Sequence, residues 1–154
     1  MKILTVRNPW AWLIINGGKD IENRSTNIAG SYRGPVAIHS SIKNHKDSWE
    51  TFLVSHPRGE EMKAKMLNSL VYGSIVGVVD LVDVHECFGN ESACFSRNKG
   101  EKCSEWALIS ERFHLVLRNP RAINPIPYKG FLGLRTIKEP EILREIEKLL
   151  LSGN

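Results

Sequence analysis

The sequence predicts an α+β domain, a small mixed β-barrel with flanking helices. Three observations carry that expectation. Strand and helix signals follow the order β-α-β-β-α-α-β-β-β-β-α, with most strands late, unlike the regular alternation of a parallel α/β sheet. The 154 residues predict one domain over 1–154, with its core over about 2–137 and a terminal helix over 139–151. The composition, 42% hydrophobic and 25% charged, is that of an ordinary globular chain able to build a core without staples.

Each element has a local reason. Lys2–Arg7 is apolar and β-branched, as a strand should be. Asn8 and Pro9 predict a helix start, Asn8 as N-cap and Pro9 at the first helical position. Trp10, Leu13 and Ile14 share one helical face, and Gly17-Gly18 stops the helix. Ile21–Ser25 predicts a short strand. Tyr32-Arg33-Gly34-Pro35 is a turn into the strand Val36–Ser40. Residues 43–70 read as two helical pieces broken near His56-Pro57-Arg58-Gly59. The second piece places Met62, Met66 and Leu70 on one core stripe. Gly73–Glu86 is the longest β signal, apolar on both faces and therefore central. Residues 89–104 predict a polar loop, and Glu105–Ile109 and Phe113–Leu117 two further strands. Asn119–Lys129 holds three prolines and predicts an irregular arm before a last strand, Phe131–Ile137. A tail helix from Pro140 aligns Ile142, Leu143, Ile146, Leu149 and Leu150.

Charge and motif content exclude several classes. There are 21 Lys plus Arg against 17 Asp plus Glu, a net charge of +4, which permits phosphate binding without requiring it. Placement says more than the total. Arg7, Lys19, Arg24, Arg33 and Lys43 gather in or beside the candidate site segments, predicting a locally positive cleft. No apolar run approaches ~18 residues, so no membrane span is expected. The apolar start is cut by Arg7-Asn8-Pro9, which argues against a signal-peptide core. Three cysteines do not make a disulfide framework, and the expected setting is a reducing cytoplasm. His85, Cys87, Cys94 and Cys103 suffice in number for zinc, but no Cys-x-x-Cys knuckle organises them, so no metal and no cofactor is expected. The chain carries no phosphate loop, dinucleotide fingerprint or Gly-x-Ser-x-Gly elbow.

The densest cluster of chemistry-bearing residues is Gly18-Lys19-Asp20-Ile21-Glu22-Asn23-Arg24. In an extended chain Glu22 and Arg24 face one way and Asn23 the other, with Lys19 close by at the helix exit. An ammonium, a carboxylate and a guanidinium then converge. From spacing alone a solvated salt-bridge face also accounts for them. His39 and Ser40 stand where an apolar strand turns polar, which suits a site residue or a hydrogen-bonded core histidine.

Five ordered blocks resemble an ASCH domain of the PUA-like superfamily. They are Thr5-Val6-Arg7-Asn8-Pro9-Trp10-Ala11, Gly18–Arg24, Tyr32–Ser40, Gly73–Leu81 and Asn119–Leu134, and the resemblance covers about residues 2–137. It implies a β-barrel with a cleft lined by the Lys-Glu-Arg element, acting on RNA or a nucleobase-containing ligand. Some members resemble single-strand ribonucleases. A more distant branch deacylates acylated cytidine with a lysine matching Lys19, but it has threonine where this chain has Glu22. Relatives of the present type more often carry glutamine where Asn8 stands.

On that resemblance Lys19, Glu22 and His39 are the candidate catalytic residues, and Asn8, Trp10, Arg24, Arg33 and Ser40 the candidate ligand-binding ones. Lys19 in a partly closed cleft suits a base or nucleophile activator. Glu22 suits proton transfer or reading a base edge. Arg24 offers a planar fork to phosphate or carbonyl oxygen. His39 suits a second acid/base or a phosphate contact, Arg33 backbone phosphate, and Trp10 either base stacking or core packing. Three function classes stay open: a module binding RNA or a nucleobase, a hydrolase of RNA or of a modified nucleoside, and a protein-interaction module. The oligomeric state is left open.

Overall fold

A computed structural model of the chain describes residues 1–44, 59–87, 104–108 and 110–152. The elements are β1 (Lys2–Asn8), α1 (Trp10–Asn16), β2 (Ile21–Arg24), β3 (Gly34–Asn44), α2 (Gly59–Leu67), β4 (Ser74–Glu86), β5 (Phe113–Pro127), β6 (Leu134–Thr136) and α3 (Pro140–Ser152). The six strands form one mixed sheet in the order β2-β5-β4-β3-β1-β6. Only β1 and β3 run parallel, with Leu4 opposite Ile38, and every other pair is antiparallel. The sheet curls into a half-barrel, an α+β architecture. In strand order its ends are β2 and β6. Across that opening the Arg24 guanidinium donates to the Thr5 carbonyl of β1 at 3.3 Å.

Opposite faces of the sheet serve two cores. Leu4, Val6, Val36, Ile38, Val79, Leu81, Leu115 and Leu117 pack against Ala11, Ile14 and Ile15, so α1 plugs the half-barrel. Their strand neighbours Ile3, Ala37, Ile75, Val78, Ile123 and Ile126 pack on the other face against Ile146 of α3. This two-sided burial is why β4 reads as apolar throughout. Each fully buried aliphatic side chain contributes roughly 1.5–3 kcal/mol. A third cluster joins Leu13, Ile21, Met62, Met66 and Trp106, tying α2 to the far side of α1. Gly77 permits the close approach of α1 to β4, since a Cβ there would stand 2.6 Å from Ile15 Cδ1 and 2.7 Å from the Arg121 carbonyl.

Several local expectations are corrected. The cap position of α1 is Pro9, without a side-chain cap bond. Asn8 instead belongs to β1, and its amide donates to the Val71 carbonyl at 2.8 Å, a tertiary bond that outcompetes capping. Residues 43 and 44 continue β3 instead of opening a helix. The proline-rich arm is a continuation of β5 as far as Pro127. Pro120 and Pro125 fall where the β4–β5 register shifts, at bulges where a missing N–H breaks no regular ladder bond. Asn119, at φ 50°, sits in the first of these bulges. Residues 105–108 form a turn and an irregular segment, not a strand, and the final strand shortens to Leu134–Thr136. The first helical piece beyond residue 44 and most of the 89–104 loop, with Cys94 and Cys103, lie outside the described residues. Among the described residues no group of three or more His, Cys, Asp or Glu is placed to hold a metal ion. No described helix is long and apolar enough to cross a membrane.

Candidate functional site

A cleft of about 610 Å³ lies where β1 and β2 face each other across the opening of the half-barrel. Its floor comes from the turn after α1. Gly18, at φ 76°, reverses the chain, and the Gly17 and Lys19 amides both donate to the Leu13 carbonyl, at 2.9 and 3.0 Å. The wrap delivers Lys19 beneath the cleft, only 4% exposed. Its ammonium donates to the Ile21 carbonyl, lies 3.3 Å from Glu22 Oε2 and stands 5.9 Å from the centre of a Trp10 ring. Glu22 Oε1 pairs with the Arg24 Nη2 at 3.0 Å. The carboxylate is thus held from both sides, which fixes the rotamers of all three residues.

Burial pushes the Lys19 ammonium below the ordinary lysine range, and the neighbouring Glu22 carboxylate offsets part of the shift. Two buried polar atoms beside the floor, Arg24 Nε and Asp20 Oδ1, have no hydrogen-bond partner among the described residues. Arg24 Nε is therefore a buried donor in a cleft-lining side chain with no acceptor among the described residues.

The walls come from distant parts of the chain. Trp106 and Leu108 line one side. Asn23 sets their position: its Nδ2 donates to the Trp106 carbonyl and its Oδ1 accepts from the Leu108 amide, both at 2.9 Å. His114, opposite Asn23 in the β2–β5 ladder, bonds the Leu108 carbonyl through Nε2 at 3.0 Å. Its ring meets that of His85 edge-on, with centroids 5.3 Å apart. Phe131, Leu132 and Gly133 form another wall, anchored where the Phe131 amide donates to Thr5 Oγ1 at 2.9 Å. The rim carries Arg7, Ser41 and Lys43 from β1 and β3, and Glu111 stands at the wall built by Leu108.

The predicted site residues therefore divide. Lys19, Glu22, Arg24 and Trp10 meet in this cleft. His39 does not line it. Its imidazole is buried, with Nε2 bonded to the Tyr128 carbonyl at 2.8 Å, and it packs under Gly130, where an added Cβ would stand 2.9 Å from Cε1. Burial pushes its pKa down, against the smaller effect of the Tyr128 bond. Asn8 and Ser40 both bond the Val71 carbonyl and line a second cavity of about 330 Å³ with Trp12 and Ser69. Arg33 stays at the start of β3, bonded to the Gly30 and Tyr32 carbonyls and 3.7 Å from Asp83. Trp106, Leu108, Phe131 and the clamp Asn23 were not among the predicted site residues. Trp106, just after the polar loop, and Asn23, adjacent to Glu22, had local signals, although the sequence does not say which way Trp106 points.

Comparison with known proteins agrees with the architecture. The family model of the ASCH domain matches residues 4–127. Among solved structures, a point-mutant form of the ASCH protein of Zymomonas mobilis superposes with a TM-score of 0.55 at 14% identity, covering 95% of this chain and 96% of that one. A second mutant form gives 0.52 at 13% identity, with 96% and 94% covered. A third crystal structure of that protein gives 0.52 at 13%, with 95% and 93% covered. These neighbours carry the fold alone.

Proposed function

The chain belongs to the ASCH domain family, and from that premise we propose that it binds RNA or another nucleobase-containing ligand in the cleft above Lys19, Glu22 and Arg24. The observation that carries this reading is the buried ion triad set between aromatic and apolar walls. Trp10, partly exposed, offers a face on which a base can stack, a contact worth roughly 1–3 kcal/mol per base, and the buried Trp106 backs the opposite wall. Glu22 presents carboxylate oxygens already fixed by two cations, and the partly exposed Arg24 guanidinium adds donors beside them. Fixed donors and acceptors beside a stacking face suit a flat heterocycle with polar edges. A cleft of about 610 Å³ falls within the range of ordinary small-molecule sites.

One feature favours a second reading, hydrolysis of RNA or of a modified nucleoside. Burial lowers the pKa of Lys19, which brings its neutral, basic form closer to physiological pH. Against it, Glu22 holds that ammonium at 3.3 Å and opposes the shift.

The test is one set of incubations with a mixed single-stranded RNA pool and a panel of modified nucleosides, read by binding and by mass spectrometry, for wild type, Lys19→Ala and Glu22→Ala. The expected result is salt-dependent binding without turnover, weakened in both variants. Turnover lost in Lys19→Ala supports the hydrolase. Unchanged behaviour in both variants removes the site.

A further inference from the structure

The cleft is polarised in a way the floor residues do not explain. Four cations line it: Arg7, Lys19, Arg24 and Lys43. Lys19 and Arg24 are spent on Glu22. Arg7 and Lys43 have no ion-pair partner among the described residues, and both are exposed at the rim. Two exposed cations held on adjacent strands repel each other, a cost that an anion between them would relieve.

Their placement follows from the sheet. β1 and β3 run parallel, with Val6 opposite Ser40 and Asn8 opposite Asn44 after a register shift. Arg7 therefore lies beside the Ser41–Lys43 stretch. The shift gives β3 extra residues over the same rise, and Ser41 and Lys43 both reach the cleft rim with Arg7. Ser41 Oγ accepts the Lys43 amide at 3.0 Å, which pins the hydroxyl and leaves its own proton to donate.

The rest of the cleft offers an anion less, because both floor cations are paired with Glu22. The floor holds the Glu22 carboxylate, and Glu111 stands at the Leu108 wall. A ligand with one anionic and one flat apolar end has a preferred orientation here. The flat end goes toward Trp10, Trp106 and Phe131, and the anion goes to the rim.

We propose that Arg7, Ser41 and Lys43 form a phosphate subsite, taking the phosphate monoester or diester of a nucleotide whose base enters the cleft. The guanidinium of Arg7 supplies a planar fork for two phosphate oxygens, Lys43 a point charge, and Ser41 a hydroxyl donor. This rests on the cleft being a nucleobase site. It adds that the cleft prefers nucleotides over nucleosides, and it identifies which side of the cleft a strand would pass.

The same phosphate chemistry occurs in a free nucleotide and in an RNA strand, so the experiment has arms for both. Affinities are measured by calorimetry at low and moderate salt for the four ribonucleosides, their 5′- and 3′-monophosphates and a tetranucleotide of single-stranded RNA. Proteins compared are wild type, Arg7→Gln/Lys43→Gln, and Arg144→Gln on the exposed face of α3 as a distant control. The expected result is a monophosphate preferred over its nucleoside by roughly tenfold at low salt, a ratio that shrinks as salt rises. In the double variant the ratio falls to near one, and the salt slope for the tetranucleotide drops by about 1.4, from two contacts at ~0.7 each. A tetranucleotide preferred over every monophosphate identifies a strand as the source of the phosphate. Equal or better binding of a monophosphate identifies a free nucleotide. A nucleotide preference that survives in the double variant places the phosphate elsewhere and overturns the subsite. Nucleosides that bind as tightly as their monophosphates in wild type overturn the subsite but leave the nucleobase cleft standing. Failure of every probe to bind overturns both.

Discussion

Replacing Glu22 with Gln removes the charge that holds the floor together while keeping its shape. At 3.3 Å and an effective dielectric of about 20, the Lys19–Glu22 attraction is about 5 kcal/mol. Desolvation offsets part of this, and removing one partner of a buried pair typically costs roughly 3–5 kcal/mol. Arg24 is about a quarter exposed, so its share is screened and smaller. We expect Glu22→Gln to lose about 3 kcal/mol at pH 7. Lys19 has an escape that Arg24 lacks, because burial already favours its neutral form. In the variant its pKa falls further, so the loss is full near neutral pH, where Lys19 is charged in wild type, and shrinks as pH rises toward the ordinary lysine value of 10.5, because wild-type Lys19 sheds its proton below that value too. Urea unfolding of both proteins at pH 7 and at several values up to 10.5 reads this directly. A loss below about 0.5 kcal/mol at pH 7, or one that does not change with pH, refutes the coupled floor.

The wall and anchor residues give further expectations. Asn23→Ala removes two bonds to the Trp106–Leu108 segment, so hydrogen exchange at the Leu108 amide should accelerate and stability fall by about 1–3 kcal/mol; unchanged Leu108 protection contradicts the clamp. Gly130→Ala places a methyl 2.9 Å from His39 Cε1 and 3.2 Å from Thr5 Cγ2, and should cost about 1–3 kcal/mol in thermal unfolding, with a neutral result showing that the backbone at Gly130 yields freely. The lowered pKa of His39 means the unfolded chain takes up its proton first as pH falls. Its contribution is therefore complete above about pH 6.5 and lost progressively below it. His39→Gln should flatten the acid limb of the stability curve, and parallel curves for the two proteins would exclude that role.

What could be read from the chain tracks how local each signal is. The floor was legible because Gly18, Lys19, Glu22 and Arg24 lie within seven residues, and one helix exit plus strand alternation brings them together. The two-sided apolar pattern of β4 and the apolar stripe of α3 were legible for the same reason. The walls were not. Trp106 and Leu108 reach the cleft through bonds to Asn23 more than 80 residues away, and Phe131 through Thr5. No local rule encodes those partners. Asn8 followed good capping statistics but its amide is turned to donate to the Val71 carbonyl, and the β5 prolines obeyed the rule against ladder positions by occupying bulges. His39 carried the right chemistry for a site. The side-chain direction that turns it to Tyr128 and Gly130 is set by tertiary packing.

The central claim is that a nucleobase enters the cleft over Lys19, Glu22 and Arg24. The tryptophans test it most directly, since Trp10 and Trp106 line that cleft while Trp12 bonds Ser69 beside the second cavity. Indole N–H resonances of ¹⁵N-labelled protein, assigned by single substitutions, are followed during titration with the four ribonucleoside monophosphates. The account predicts that Trp10 and Trp106 shift with at least one of them while Trp12 stays in place, and that the shifts weaken in Glu22→Ala. Movement of Trp12 alone, or shifts at Trp10 and Trp106 that persist unchanged in Glu22→Ala, would contradict it.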